Sequence, residues 1–115
     1  METVKMNRIS ATVEDFVRKH IRSVWQLELL LLVKSSDRPL NPTEIANALY
    51  LTDETVSSGL KDFERSGLVG PSYVEPQAYV YAPRTPQLRE AVEQTGKAYG
   101  ERRVAIINLI FSTAN

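Results

Sequence analysis

The chain has 115 residues, 43% of them hydrophobic, no cysteine, and 14 basic against 14 acidic side chains, for a formal net charge of zero. That composition fits one globular domain with a modest core, spanning 1–115, and excludes a disulfide framework, a thiolate metal site and a cysteine nucleophile. The longest uninterrupted apolar run, Leu29–Val33, is far too short to cross a bilayer, and no early run resembles a signal peptide, so a cytoplasmic location without a membrane partner is expected.

Over 12–36 the spacing predicts one long helix. Val13, Val17, Ile21 and Val24 recur along one face, with Phe16 and Trp25 beside it, and Leu27 with Leu29–Val33 makes the last turns apolar nearly all round. Asp37-Arg38-Pro39 ends it. Arg18, Lys19 and Arg22 form a basic run that reads either as a solvated face or as a set of phosphate partners. His20, the sole histidine, reads as a packing or surface residue able to titrate near neutrality.

Residues 41–66 carry nearly complete start and stop signals for two short helices. Asn41 is a good N-cap, Pro42 suits the first helical position, and Glu44 can reach back to complete a capping box. Leu40 and Ile45 have the spacing of a hydrophobic staple, which Leu51 and Val56 repeat. Thr52 caps the second helix, Asp53 and Glu54 suit its positive end, and Val56, Leu60 and Phe63 form its core face. Gly67 is the expected left-handed stop.

Over 68–82, the runs Leu68–Val74 and Ala78–Ala82 flank Glu75-Pro76-Gln77. Val and Tyr favour strands and Pro76 punctuates a turn, which predicts a hairpin, with a sheetless loop as the alternative. The final helix, over 86–112, is capped by Thr85 and started by Pro86, and ends in the apolar stretch 104–111. Gly96 and Gly100 within it either permit close helix approach or mark a kink. The two terminal helices carry more apolar surface than one small chain readily covers. Trp25, Leu29, Leu32, Ile106, Ile107, Ile110 and Phe111 are therefore expected at a twofold homodimer interface; the alternative is a monomer whose terminal helices satisfy each other.

The order is that of a winged helix-turn-helix: mainly α with a small β-hairpin and long N- and C-terminal helices. Double-stranded DNA is the partner this order suggests. Thr52 and Thr55 reach phosphate or base edges, Ser57 and Ser58 hydrogen-bond bases, and Lys61 meets the backbone. Glu54 can accept from a cytosine amine, and Thr43 can place a hydroxyl on a phosphate. Arg65 on the same face and Arg84 just beyond the hairpin complete the candidate set. Two small serines and Gly59 would let the backbone come close to a duplex. Charge opposes this reading. Within 40–70, Lys61 and Arg65 stand against Glu44, Asp53, Glu54, Asp62 and Glu64, a balance of −3, and 70–83 holds no basic residue, so background affinity for DNA should be weak. A protein-interaction module that opposes another regulator is the second expectation. With no nucleophile–base pair, no glycine-rich phosphate loop and no metal-ligand cluster, neither catalysis nor a cofactor or metal is expected.

The segments NPTEIANALYLTDETVSSGLKDFERSGLV, a following hairpin and a long helix at each end together resemble the MarR-type transcriptional regulators of bacteria and archaea. That resemblance implies a homodimer joined through the first and last helices. It also implies a recognition helix over 52–61 in the major groove, with the hairpin on the adjacent minor groove or backbone. The chain departs from the family pattern in two places. Ser58-Gly59 stands where such helices often carry Arg or Lys, and Glu75-Pro76-Gln77 stands where their wings usually carry Arg.

Overall fold

A computed structural model describes residues 9–113. Six helices and one two-stranded antiparallel sheet order them: α1 (Ala11–His20), α2 (Val24–Ser35), α3 (Pro42–Leu49), α4 (Asp53–Arg65), β1 (Val69–Pro71), β2 (Tyr79–Tyr81), α5 (Pro86–Glu101) and α6 (Arg103–Thr113). This is the expected mainly helical winged helix-turn-helix. α1 packs on α5 and α6, while α2 lies under α3, α4 and β2 and so joins the helical end to the helix-turn-helix.

The helix expected over 12–36 is two helices. Ser10 caps α1 by accepting from the Val13 N–H at 3.2 Å. The backbone then becomes extended at Ile21 (φ −119°, ψ 115°) and again at Ser23 (φ −152°, ψ 159°), and the Ile21 side chain is buried in the core. Gln26 Oε1 accepts from the Arg22 N–H at 2.6 Å, the reach-back half of a capping box displaced by one residue. A start signal, Ser23-x-x-Gln26, is thus embedded in the apolar run.

The helix expected over 86–112 also divides, at Arg102 (φ −136°, ψ 55°). The two glycines of this region have different roles. A Cβ on Gly96 would lie 3.1 Å from Leu31 Cδ2, so this glycine permits close approach of α5 to α2. Gly100 faces open space two residues before the break. The joint is fastened by Tyr99, whose hydroxyl donates to Glu28 Oε2 at 3.0 Å and accepts from Arg103 Nη1 at 3.1 Å. The Arg103 guanidinium also sits 4.4 Å from the Tyr99 ring centroid.

These breaks redistribute the apolar surface. Leu29, Ile106 and Ile110 are fully buried within one chain, which covers them without a second copy, and the Trp25 ring is aimed at α4. Leu32 and Ile107 are half-buried. Phe111 is 61% exposed and Val104 70% exposed, so the apolar surface available to a partner on α6 lies at these two residues rather than along the whole helix.

Candidate nucleic-acid interface

The helix-turn-helix is built from local signals that operate as a set. Asn41 Oδ1 accepts from the Glu44 N–H at 2.8 Å while Glu44 Oε1 accepts from the Asn41 N–H at 3.0 Å, a complete capping box. Glu44 also accepts from Arg38 at 2.7 Å. That hydrogen bond, followed by the one from the Asn41 backbone, holds its carboxyl below the usual carboxylate range. α3 ends at Tyr50 in the left-handed region (φ 58°, ψ 45°), an uncommon conformation for a bulky residue, and the ring is 94% exposed. Two residues later Thr52 Oγ1 accepts from the Thr55 N–H at 3.1 Å and starts α4.

Val56, Gly59, Leu60 and Phe63 form the buried face of α4. Gly59 therefore does not face outward. A Cβ there would meet Trp25 Cζ3 at 2.9 Å and Cη2 at 3.2 Å, so the missing side chain admits the indole rather than a duplex. The outward face carries Asp53, Glu54, Ser57, Ser58, Lys61 and Arg65, which line an open concavity of about 470 Å³ along the helix.

The predicted residues divide by what already engages them. Glu54, Ser57, Ser58 and Lys61 share the concavity, and no side-chain hydrogen bond or ion pair joins them to other described residues. Thr43 Oγ1 donates to Asp53 Oδ2 at 2.7 Å, tying α3 to the start of α4 and placing a carboxylate where a phosphate was expected. The Thr52 hydroxyl donates to Thr55 Oγ1 at 2.9 Å. Arg65 pairs with Asp62 at 3.1 Å on a solvated surface, an interaction worth at most about 1 kcal/mol. Arg84 lies at the other end of α4. Its N–H donates to the Gly67 carbonyl at 2.8 Å, and its side chain lies over Gly67, which takes the expected positive φ of 79°. A cation beside the last carbonyls of a helix is favourable.

The wing is shorter than the runs suggested. Val69↔Tyr81, Gly70↔Val80 and Pro71↔Tyr79 pair antiparallel, and Leu40 adds a bridge to Tyr79 through two backbone hydrogen bonds of 3.1 and 2.8 Å. Pro71 is the last paired residue of β1, and one further cross-strand hydrogen bond runs from the Ser72 N–H to the Ala78 carbonyl at 2.8 Å. Ser72 Oγ then accepts from the amides of Val74 and Glu75. The tip presents Tyr73 at 97% and Val74 at 86% exposure, and Gln77 closes it with φ 62°.

No protein-family model matches the chain, and no curated protein matches it. Among solved structures, the crystal structure of a transcriptional regulator from Thermotoga maritima matches 90% of this chain and 74% of its own, with a TM-score of 0.53 and 19% sequence identity. At that identity the likeness establishes the fold: this chain has an architecture that a transcriptional regulator also uses.

Proposed function

We propose that the chain is a sequence-specific DNA-binding transcriptional regulator of MarR type that acts in the cytoplasm as a homodimer, with α4 in the major groove. The outward face of α4 carries this reading. Ser57, Ser58, Lys61 and Glu54 line one open concavity with no side-chain partner among the described residues, while the opposite face is sealed against Trp25 and Leu29. Hydroxyls and a lysine presented in this way suit base edges and phosphates.

Selection of bound sequences from a random duplex pool tests the reading. The expected product is a twofold-symmetric site with half-sites roughly 34 Å apart. Ser57→Ala/Ser58→Ala/Lys61→Ala should bind that site roughly tenfold or more weakly while staying folded. No enrichment by a folded dimer would end the reading.

The wing tip favours a second reading. Tyr73 and Val74 are exposed beside Glu75, and no basic residue lies between Gly70 and Pro83. An apolar, cation-free tip suits a protein surface better than phosphates, as in a module that binds and opposes another regulator. Loss of such a partner on Tyr73→Ser, with α4 substitutions silent, is the outcome that would select it.

A further inference from the structure

A second concavity, of about 390 Å³, opens between the α1–α2 joint and the end of α4. Lys19, His20, Arg22 and Gln26 line it from one side and Asp62 and Arg65 from the other. Arg65 lines the concavity along the recognition face as well, so the two are contiguous around that side chain. Of the three cations in the basic run, Arg18 is held by Glu14 at 2.6 Å. Neither Lys19 nor Arg22 makes an ion pair with any described residue.

We infer that this cleft is the phosphate anchor of the DNA interface, seating the sugar-phosphate backbone as it leaves the face of α4. The inference rests on the DNA-binding reading and specifies where its electrostatic affinity comes from. The concavity along α4 by itself sets Asp53 and Glu54 against Lys61 and Arg65, a net charge of zero. The second concavity adds Lys19 and Arg22 against Asp62, which makes the continuous surface +1. Gln26 strengthens the site because its Oε1 is occupied by the Arg22 N–H, leaving the amide N–H groups as donors. His20 adds no charge at neutral pH, since burial and then neighbouring Lys19 lower its pKa from 6.5. Asp62 is the opposing group, and its hold on Arg65 is loose, at 3.1 Å between exposed side chains. The break after His20 brings these groups together. A helix running straight through 21–23 would carry Arg22 along a rod instead of turning it beside the end of α4.

The test is titration of full-length protein with a short random-sequence duplex across about 50–200 mM salt. Lys19→Ala/Arg22→Ala should weaken binding roughly tenfold at low salt, equally for random and selected sequences. The salt slope should flatten by about 0.9 for each phosphate that is no longer neutralised, with roughly 2 such phosphates per protomer. Arg18→Ala should leave the slope unchanged, and Asp62→Asn should tighten binding. Trp25 fluorescence and the melting temperature report that each variant is folded. A folded Lys19→Ala/Arg22→Ala protein that keeps the wild-type slope overturns the anchor while leaving DNA binding through α4 intact. Wild-type protein that binds no duplex removes the DNA reading and the anchor together.

Discussion

Gly59 and Trp25 fit together as a notch and its filler: the absent Cβ of the glycine would stand 2.9 Å from Cζ3 of the indole. Alanine is the better helix former by about 1 kcal/mol, so in an open helix Gly59→Ala would stabilise α4. Here overpacking opposes that gain at about 1–3 kcal/mol. The expected outcome is a net loss of roughly 1 kcal/mol in urea denaturation, with Trp25→Phe recovering part of it in the double variant. A Gly59→Ala protein more stable than wild type would mean that the indole can move aside.

On the proposed DNA-binding reading, the Thr43–Asp53 hydrogen bond sets stability against DNA affinity. Asp53 favours the positive end of α4 by about 0.3–1 kcal/mol and also holds Thr43. Asp53→Ala should therefore lower the denaturation midpoint slightly while binding duplex DNA more tightly, since it removes an acid and frees a hydroxyl for phosphate. Weaker binding by the folded variant would place Asp53 among the groups that touch DNA.

Among the described residues, His20 carries the side chain whose ordinary pKa lies nearest neutrality. Its folded-state pKa lies below 6.5 because burial, and secondarily Lys19, disfavour the charged form. The unfolded chain then binds the proton more readily. Its contribution to stability is complete above pH 6.5 and is lost as pH falls from there through the folded value. Denaturation midpoints across that window should slope downward toward acid in wild type and less so in His20→Gln.

At the α5–α6 joint, Tyr99→Phe removes the link from Glu28 to Arg103 and should cost about 1–2 kcal/mol. The phenol pKa is raised above 10, first by burial and then by its hydrogen bond to Glu28. Its contribution to stability is present below pH 10 and lost as pH rises through the folded value. Tyr81 is raised as well, through burial. Ultraviolet titration should thus show one late-ionising tyrosine fewer in Tyr99→Phe than in wild type.

If two copies meet through α6, the interface must use what one chain leaves uncovered. Phe111→Asp should then lower the mass measured by light scattering toward that of one chain, with the circular dichroism of a folded domain. Unchanged association would move the interface away from Phe111.

Where the chain states its structure locally, the sequence is easily read. The caps at Asn41, Thr52 and Thr85 and the stop at Gly67 each depend on residues within a few positions, and each forms as its spacing implies. Apolar periodicity is a weaker guide. It runs through Ile21–Ser23 and Arg102 without interruption, because a residue buried by a turn satisfies the same pattern as one buried by a helix. Gly59 is easily misread for a related reason. It lies three residues after Val56 and four before Phe63, inside the apolar face, yet a glycine contributes no hydrophobic signal of its own. The pairing of Thr43 with Asp53 and the packing of Arg84 over Gly67 depend on how the chain turns between them, which no local spacing encodes.

The Leu40–Tyr79 bridge gives the wing a mechanical character. Leu40 adjoins the cap of α3, so the hairpin is pinned to the helix-turn-helix at Tyr79, opposite Pro71 at the outer end of the paired strands, while its base continues from α4. Only the short tip around Tyr73–Gln77 projects beyond that frame. The separation between tip and α4 is then a fixed dimension, like the gap of a caliper. A surface whose ridges match that gap is gripped at both points, and one that does not match must itself bend.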